Sequence, residues 1–311
     1  MRSLSNTELE VSRLCLGGNV FGWTIDEERS FEVLDAYVQA GGNFIDTADS
    51  YGHWTAAGAG ISERIIGRWM ASRSNREQLV IATKVGMSRE RPGLSEGAIR
   101  EAIEGSLERL GIDTVDLYYA HRDDPDTPLT QTLVTFQSLI DEGKVRYAAA
   151  SNYSAPRLEQ ALELGELDGT ASYVALQPHY NLLERDQYEG ELAEVCTRHR
   201  LGCLPYFGLA RGFLTGKYRR GGPDIDSPRA AGIRESYFNE RGFAVLEALD
   251  QIAVEHQTTP GAVALAWLSV QPTVVAPIAS ATSIEQVAEL MAFTELELTP
   301  ADVQRLDALS G

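Results

Sequence analysis

Eight short apolar runs punctuate the chain, beginning near Leu14, Asn43, Leu79, Val115, Val145, Tyr173, Gly202 and Thr273. Each has the length of a strand, and the intervening stretches space their apolar residues as helices do. Strands alternating with helices predict a parallel sheet. Eight such units predict its closure into an α/β barrel of the (β/α)8, or TIM, type.

Local signals fit this rhythm. Thr24 with Glu27 reads as a capping box before DEERSFEVLDAYVQA, and Gly41 and Gly42 are suited to end that helix. Ser95 and Thr127 stand before later helices in the same way, and Pro128 and Pro156 fall where a first-turn proline is tolerated. The exception is Gly208 to Asn239, where RRGGPDIDSPRAAG crowds glycine, proline, arginine and aspartate. It predicts a long loop over the active-site mouth. No repeat or linker divides the chain, and its 311 residues suit one barrel, which needs roughly 250. The expectation is a single domain over 1–311.

Composition narrows the function. A net charge of −18 disfavours nucleic acid and anionic membranes as partners. No apolar run approaches the ~20 residues of a membrane span, and MRSLSNTELEVSR offers no apolar stretch for a secretion signal, so the expected location is cytoplasmic. Cys15, Cys196 and Cys203 lack CxxC spacing and read as buried thiols. His53, His179, His199 and His256 lack partners at metal-ligand spacing, so no metal site is expected. No GxGxxG opens a helix after a strand, which argues against a Rossmann domain. A monomer is the default, with a homo-oligomer also possible.

The chemistry concentrates where three apolar runs end in polar residues, in NFIDTADSYG, LVIATKVG and VDLYYAHRDD. Asp46, Tyr51, Lys84 and His121 would converge at one mouth of the barrel. A tyrosine hydroxyl titrates near ~10, so it serves as an acid near neutral pH only if adjacent positive charge favours the phenolate. Lys84 can supply that charge, Asp46 can hold the ammonium, and His121 can donate a hydrogen bond to a carbonyl oxygen. An acid without a nucleophile points to carbonyl reduction. A Schiff-base aldolase built on Lys84 is a rival, but Asp46 opposes it by favouring the charged ammonium.

These residues resemble those of the aldo-keto reductases, nearly end to end. The likeness runs through RSLSNTELEVSRLCLGG, similar to that family's N-terminal β-hairpin and first strand, then SNYS, LQPHYNLL, LARGFLTGKY and IASATSIEQV. It is strongest to the bacterial NADPH-dependent branch related to potassium-channel beta subunits. The resemblance implies a barrel with long active-site loops, a small carbonyl substrate and NADPH/NADP+, with NADH also possible.

The resemblance further implies that Ser151, Asn152 and Gln177 bind the nicotinamide carboxamide and that Tyr206 stacks on the ring. It implies that Leu209, Arg211, Gly212 and Lys217 meet the pyrophosphate, with Arg229 a further basic position and Asn19 another cofactor contact. Ser280, Thr282, Gln286 and Glu289 would take a 2′-phosphate or the adenine ribose, with hydroxyls and amides where one branch has lysine and arginine. Leu290 stands where many relatives carry an adenine-contacting asparagine. Phe21, Trp23, His53 and Trp54 fall in the first two βα loops and are candidate walls of the substrate pocket. The alternative is a cofactor-binding sensor or regulatory module with little turnover.

Overall fold

The computed structural model describes residues 1–310. An antiparallel hairpin of β1 (Arg2–Ser3) and β2 (Glu10–Val11) comes first. Eight parallel strands follow: β3 (Cys15–Gly17), β4 (Phe44–Asp46), β5 (Val80–Val85), β6 (Val115–Ala120), β7 (Val145–Ser151), β8 (Tyr173–Gln177), β9 (Gly202–Cys203) and β10 (Ile278–Ala279). They pair in chain order, and β10 lies beside β3. Backbone bonds from Cys203 to Thr273 and from Val275 to Cys203 join the remaining edges. The result is a (β/α)8 barrel.

Around it run α1 (Glu27–Gln39), α2 (Ile61–Arg73), α3 (Glu96–Leu110), α4 (Leu129–Asp141), α5 (Ala155–Leu164), α6 (Glu191–His199), α7 (Ala230–Tyr237), α8 (Glu240–Glu255), α9 (Pro260–Ser269), α10 (Ile284–Met291) and α11 (Pro300–Ser310). Among the described residues no helix is long and apolar enough to cross a membrane.

The pleat sorts each strand between two cores. Phe44, Val80, Ala82, Leu117, Tyr119, Ala149 and Ala175 fill the interior, and the hairpin's Leu4, Leu9 and Val11 close its lower end. Ile45, Ile81, Val85, Tyr118, Ala120, Ala148, Ala150 and Leu176 face the helices. The same alternation, carried one step further, turns Asp46, Lys84, His121, Ser151 and Gln177 inward at the upper end. A single parity therefore builds the floor and the site.

Several local expectations change. Asp26, not Thr24, caps α1 and accepts from the Arg29 amide at 2.9 Å, because Thr24 is drawn into the preceding turn by bonds to the Val20 carbonyl. Ser95 caps α3 as expected. Thr127 donates to Asp124 instead, at 2.7 Å, and Pro128 takes the cap position of α4. Pro156 lies in the first turn of α5. The eighth run is regular only at Ile278–Ala279, since Pro272 and Pro277 cannot donate to a ladder. The segment expected as a long loop contains a 3-10 turn at Ala210–Thr215 and α7, anchored by Ile233 and Tyr237, four residues apart and both buried.

Helix α2 follows the second βα loop, and it packs tightly against α3. A Cβ on Gly67 would lie 2.4 Å from the Arg109 carbonyl oxygen and 2.7 Å from that of Leu110. Gly67→Ala should therefore cost about 1–3 kcal/mol, seen as a lower Tm. An unchanged Tm would show that the helices separate without strain.

Candidate active site

Four side chains from three strand ends meet at the upper mouth. The Lys84 ammonium is fully buried and donates to Asp46 Oδ2 at 2.5 Å, to the Thr47 carbonyl at 2.7 Å and to Tyr51 Oη at 3.1 Å. Gln177 Nε2 donates to the other Asp46 oxygen at 2.9 Å, so both carboxylate oxygens are fixed. The Tyr51 and His121 rings stand edge to face with centroids 6.2 Å apart.

The electrostatics follow from burial against charge. Burial pulls the Lys84 ammonium down, but Asp46 and Tyr51 outweigh it and hold its pKa above the ordinary value. Burial pushes the Tyr51 phenol up to about 12, and the downward pull of Lys84 does not overcome it, with Asp46 pushing upward as well. The net direction is thus opposite to that expected from Lys84 alone. Burial, then Lys84 and Arg122, hold His121 well below its ordinary value, so its imidazole is neutral. Its Nδ1 is buried without a partner among the described residues.

A second chain of bonds links strand ends to the mouth. Ser151 Oγ donates to the Gln177 carbonyl at 2.8 Å. Asn152 has a left-handed backbone, with φ 55°, and its amide donates to the His121 carbonyl at 2.8 Å and accepts from Tyr206 Oη at 2.8 Å. The Tyr206 ring stacks on His179 with centroids 5.2 Å apart.

All of these except Thr47, Lys84 and His179 face one cavity of about 1490 Å³. Every residue assigned above to a cofactor, from Asn19 to Glu289, lines it too. At one side Ala210, Arg211 and Gly212 share positive φ, a turn that can aim amides at an anion. Among the described residues, Arg211 Nε and Arg229 Nη2 are buried without partners. Burial lowers the pKa of Lys217, as does Arg229, and burial and Arg211 lower that of Arg229. Cations held together without counter-charges fit a polyphosphate. At the far end Ser280 donates to Asn19 at 2.8 Å, and Gln286 Oε1 accepts from the Thr282 amide and hydroxyl at 2.9 and 3.0 Å. Leu290 is buried in this wall.

Two expected pocket residues lie elsewhere. Phe21 is buried in the core beneath the first loop, where its side chain turns away from the mouth. His53 bonds to the Ser50 carbonyl at 2.9 Å and packs its ring 4.8 Å from Trp54, behind the wall. Trp23 and Trp54 do line the cavity, 5.3 Å apart, with Met87 and Arg122 beside the mouth.

A supporting layer below the site was not anticipated. Glu63, fully buried on α2, accepts from Thr83 at 2.6 Å and from Arg109 at 2.7 Å. Its signal in the sequence is a carboxylate three and seven residues before the buried Ile66 and Met70. Among the described residues, no group of three His, Cys, Asp or Glu is placed to hold a metal.

A model of the Aldo/keto reductase family matches residues 13–310. The chain is 34% identical to the uncharacterized oxidoreductase YrpG of Bacillus subtilis (strain 168), over 95% of this chain and 91% of that protein. It is 32% identical to a probable voltage-gated potassium channel subunit beta of Oryza sativa subsp. japonica, over 99% and 95%. It is also 32% identical to an NADH-specific methylglyoxal reductase of Escherichia coli (strain K12), over 96% and 94%.

Asp49, buried in the turn between Asp46 and Tyr51, gives this layer a measurable signature. Burial pushes its carboxyl up to about 7, Glu63 adds to the rise and Arg109 opposes it. An unfolded aspartate titrates near ~3.9, so between there and about 7 the folded chain keeps a proton that the unfolded chain has lost. Stability must fall as pH rises through that window. Asp49→Asn should remove the loss. Its stability should match the parent's near pH ~4 and exceed it at pH ~8, by on the order of 4 kcal/mol. A gap independent of pH would contradict this.

Proposed function

Because the chain belongs to the aldo/keto reductase family, oxidoreductases that act on small carbonyl compounds with nicotinamide cofactors, we propose that it reduces an aldehyde or ketone to an alcohol with NADPH, Tyr51 delivering the proton. The observation that carries this reading is the Lys84 ammonium, fully buried between Asp46 and Tyr51 Oη. Bound nicotinamide dinucleotide supplies the hydride.

Each residue then has a physical task. The raised pKa keeps Tyr51 protonated at neutral pH, as a donor must be. As its proton passes to the developing alkoxide oxygen, Lys84 at 3.1 Å stabilises the phenolate left behind. Asp46, fixed by Gln177, holds Lys84 charged. That same charge opposes a Schiff-base role, which needs a neutral amine. His121, neutral, offers one ring N–H to the carbonyl oxygen and orients it.

The remaining cavity residues hold the cofactor. Ser151, Asn152 and Gln177 position the carboxamide and Tyr206 stacks on the ring, with Asn152 fixing the tyrosine hydroxyl. Arg211 and Lys217 take the pyrophosphate, supported by Leu209, Gly212 and Asn19, and Arg229 lies beside them. Ser280, Thr282 and Gln286, with the N-terminus of α10, receive the 2′-phosphate, and Glu289 the ribose. NADH remains usable because, among the described residues, no lysine or arginine lines this end of the cavity. Residues 1–311 act as one domain, a monomer in the cytoplasm.

The likeness to a channel beta subunit over nearly the whole chain keeps a second reading in view, a cofactor sensor with little turnover. One experiment separates the two: loss of reduced-nicotinamide absorbance with NADPH or NADH, against aldehydes, ketones and dicarbonyls. NADPH should be the better donor, and Tyr51→Phe should lower kcat on the order of 10²–10⁴-fold with nucleotide affinity retained. Parental rates in Tyr51→Phe would remove the assigned acid. Tight binding without turnover would favour the sensor.

A further inference from the structure

Arg211, Lys217 and Arg229 line the cavity around the site assigned to the pyrophosphate, and each stands over an aromatic ring. Arg211 lies over Phe207 and Lys217 over Tyr218, at 5.0 and 5.4 Å from the ring centroids, so both are braced within their own segment. Arg229 is braced from elsewhere. Its guanidinium covers Trp23, 5.2 Å from the ring centroid, in the loop between β3 and α1.

Among the described residues, none of the three has a carboxylate within ion-pair distance. A carboxylate would neutralise a guanidinium and compete with an incoming phosphate. The face of an indole attracts the cation and leaves its charge available.

Arg229 has particular need of such a brace. Burial and then Arg211 lower its pKa, and burial and then Arg229 lower that of Lys217, so the cations repel one another. A long side chain under that repulsion would swing toward solvent in the free protein, and fixing it again on binding would cost ordering free energy. A guanidinium already laid on an indole meets that cost before the nucleotide arrives.

The ion pairs of the surrounding segment do not reach Arg229. Arg219, Arg220 and Arg234 pair with Asp250, Glu240 and Asp224, which lie in α8 or in the segment itself. Trp23, by contrast, is held edge to face by Trp54, with centroids 5.3 Å apart, and Trp54 stands 6.4 Å from Tyr51. The indole is thus a platform shared between the wall beside the reactive hydroxyl and the cofactor end of the cavity.

We propose that Trp23 is a positioning residue for the dinucleotide, holding Arg229 at the pyrophosphate site from a separate loop and so setting how tightly the cofactor is retained. This goes beyond the reductase reading and rests on its placing of Arg229 beside the cofactor phosphates.

Calorimetric titration with NADPH tests it in the parent, Trp23→Leu, Trp23→Phe, Arg229→Met and the double variant Trp23→Leu/Arg229→Met, each shown to be folded by circular dichroism. Trp23→Leu should weaken binding about three- to tenfold, and Trp23→Phe, which keeps an aromatic face, by less. Arg229→Met should weaken it more than either. The double variant should bind no more weakly than Arg229→Met, because the indole acts through the guanidinium. Parental affinity in Trp23→Leu would overturn the proposal and leave Trp23 as a wall of the substrate pocket. Additive losses in the double variant would overturn it too, since Trp23 would then act apart from Arg229. Parental affinity in Arg229→Met would remove Arg229 from the cofactor site and the proposal with it. A parent that binds neither NADPH nor NADH would overturn the cofactor reading itself.

Discussion

A lysine ammonium with no exposed surface is the constraint around which this barrel is arranged. Lys84 extends from β5 into the barrel interior, where an uncompensated charge would be expelled or neutralised. Asp46 and the Thr47 carbonyl, one strand over, and Tyr51 Oη, five residues on, compensate it. Removing either member of the Lys84–Asp46 pair strands its partner at a cost of roughly 3–5 kcal/mol. The register of β4 with β5 therefore has to be held, and Glu63, Thr83 and Arg109 lie behind it as a second, outward-facing layer of buried polar contacts.

Electrostatics divide the molecule in two. Outside, acidic residues outnumber basic ones and most arginines are paired, so the surface repels anions at long range. Inside the mouth, cations without counter-charges collect along one wall while Glu285 and Glu289 occupy the far end. Such a cavity discriminates by position: an anion gains only where its charge meets the unpaired guanidiniums.

Much of this was legible in the sequence, because strand parity and polar strand ends are one-dimensional signals. Eight apolar runs mark the barrel, and Asp46, Lys84 and His121 stand where the alternation turns a polar residue inward. What was not legible depends on three-dimensional competition. Whether Thr24 or Asp26 caps α1 turns on where the preceding turn closes, and the fate of Phe21 on which way one side chain leaves it. The direction of the Tyr51 shift depends on how deeply its hydroxyl is buried, which no spacing reports. Helix α7 was hidden inside a glycine- and proline-rich stretch, although Ile233 and Tyr237 carry a helical spacing in retrospect. Glu63 was missed because a carboxylate on an amphipathic helix reads as surface until its partners are known.

Lys84 pulls the ionisation of Tyr51 down against the opposing effect of burial. Tyrosine labelled with 13C at the ring Cζ, assigned by comparison with Tyr51→Phe, reports that ionisation directly by NMR titration. In the parent, Tyr51 should ionise at a lower pH than in Lys84→Met, where burial acts unopposed. Equal midpoints in the two proteins, both still folded by circular dichroism, would contradict the account.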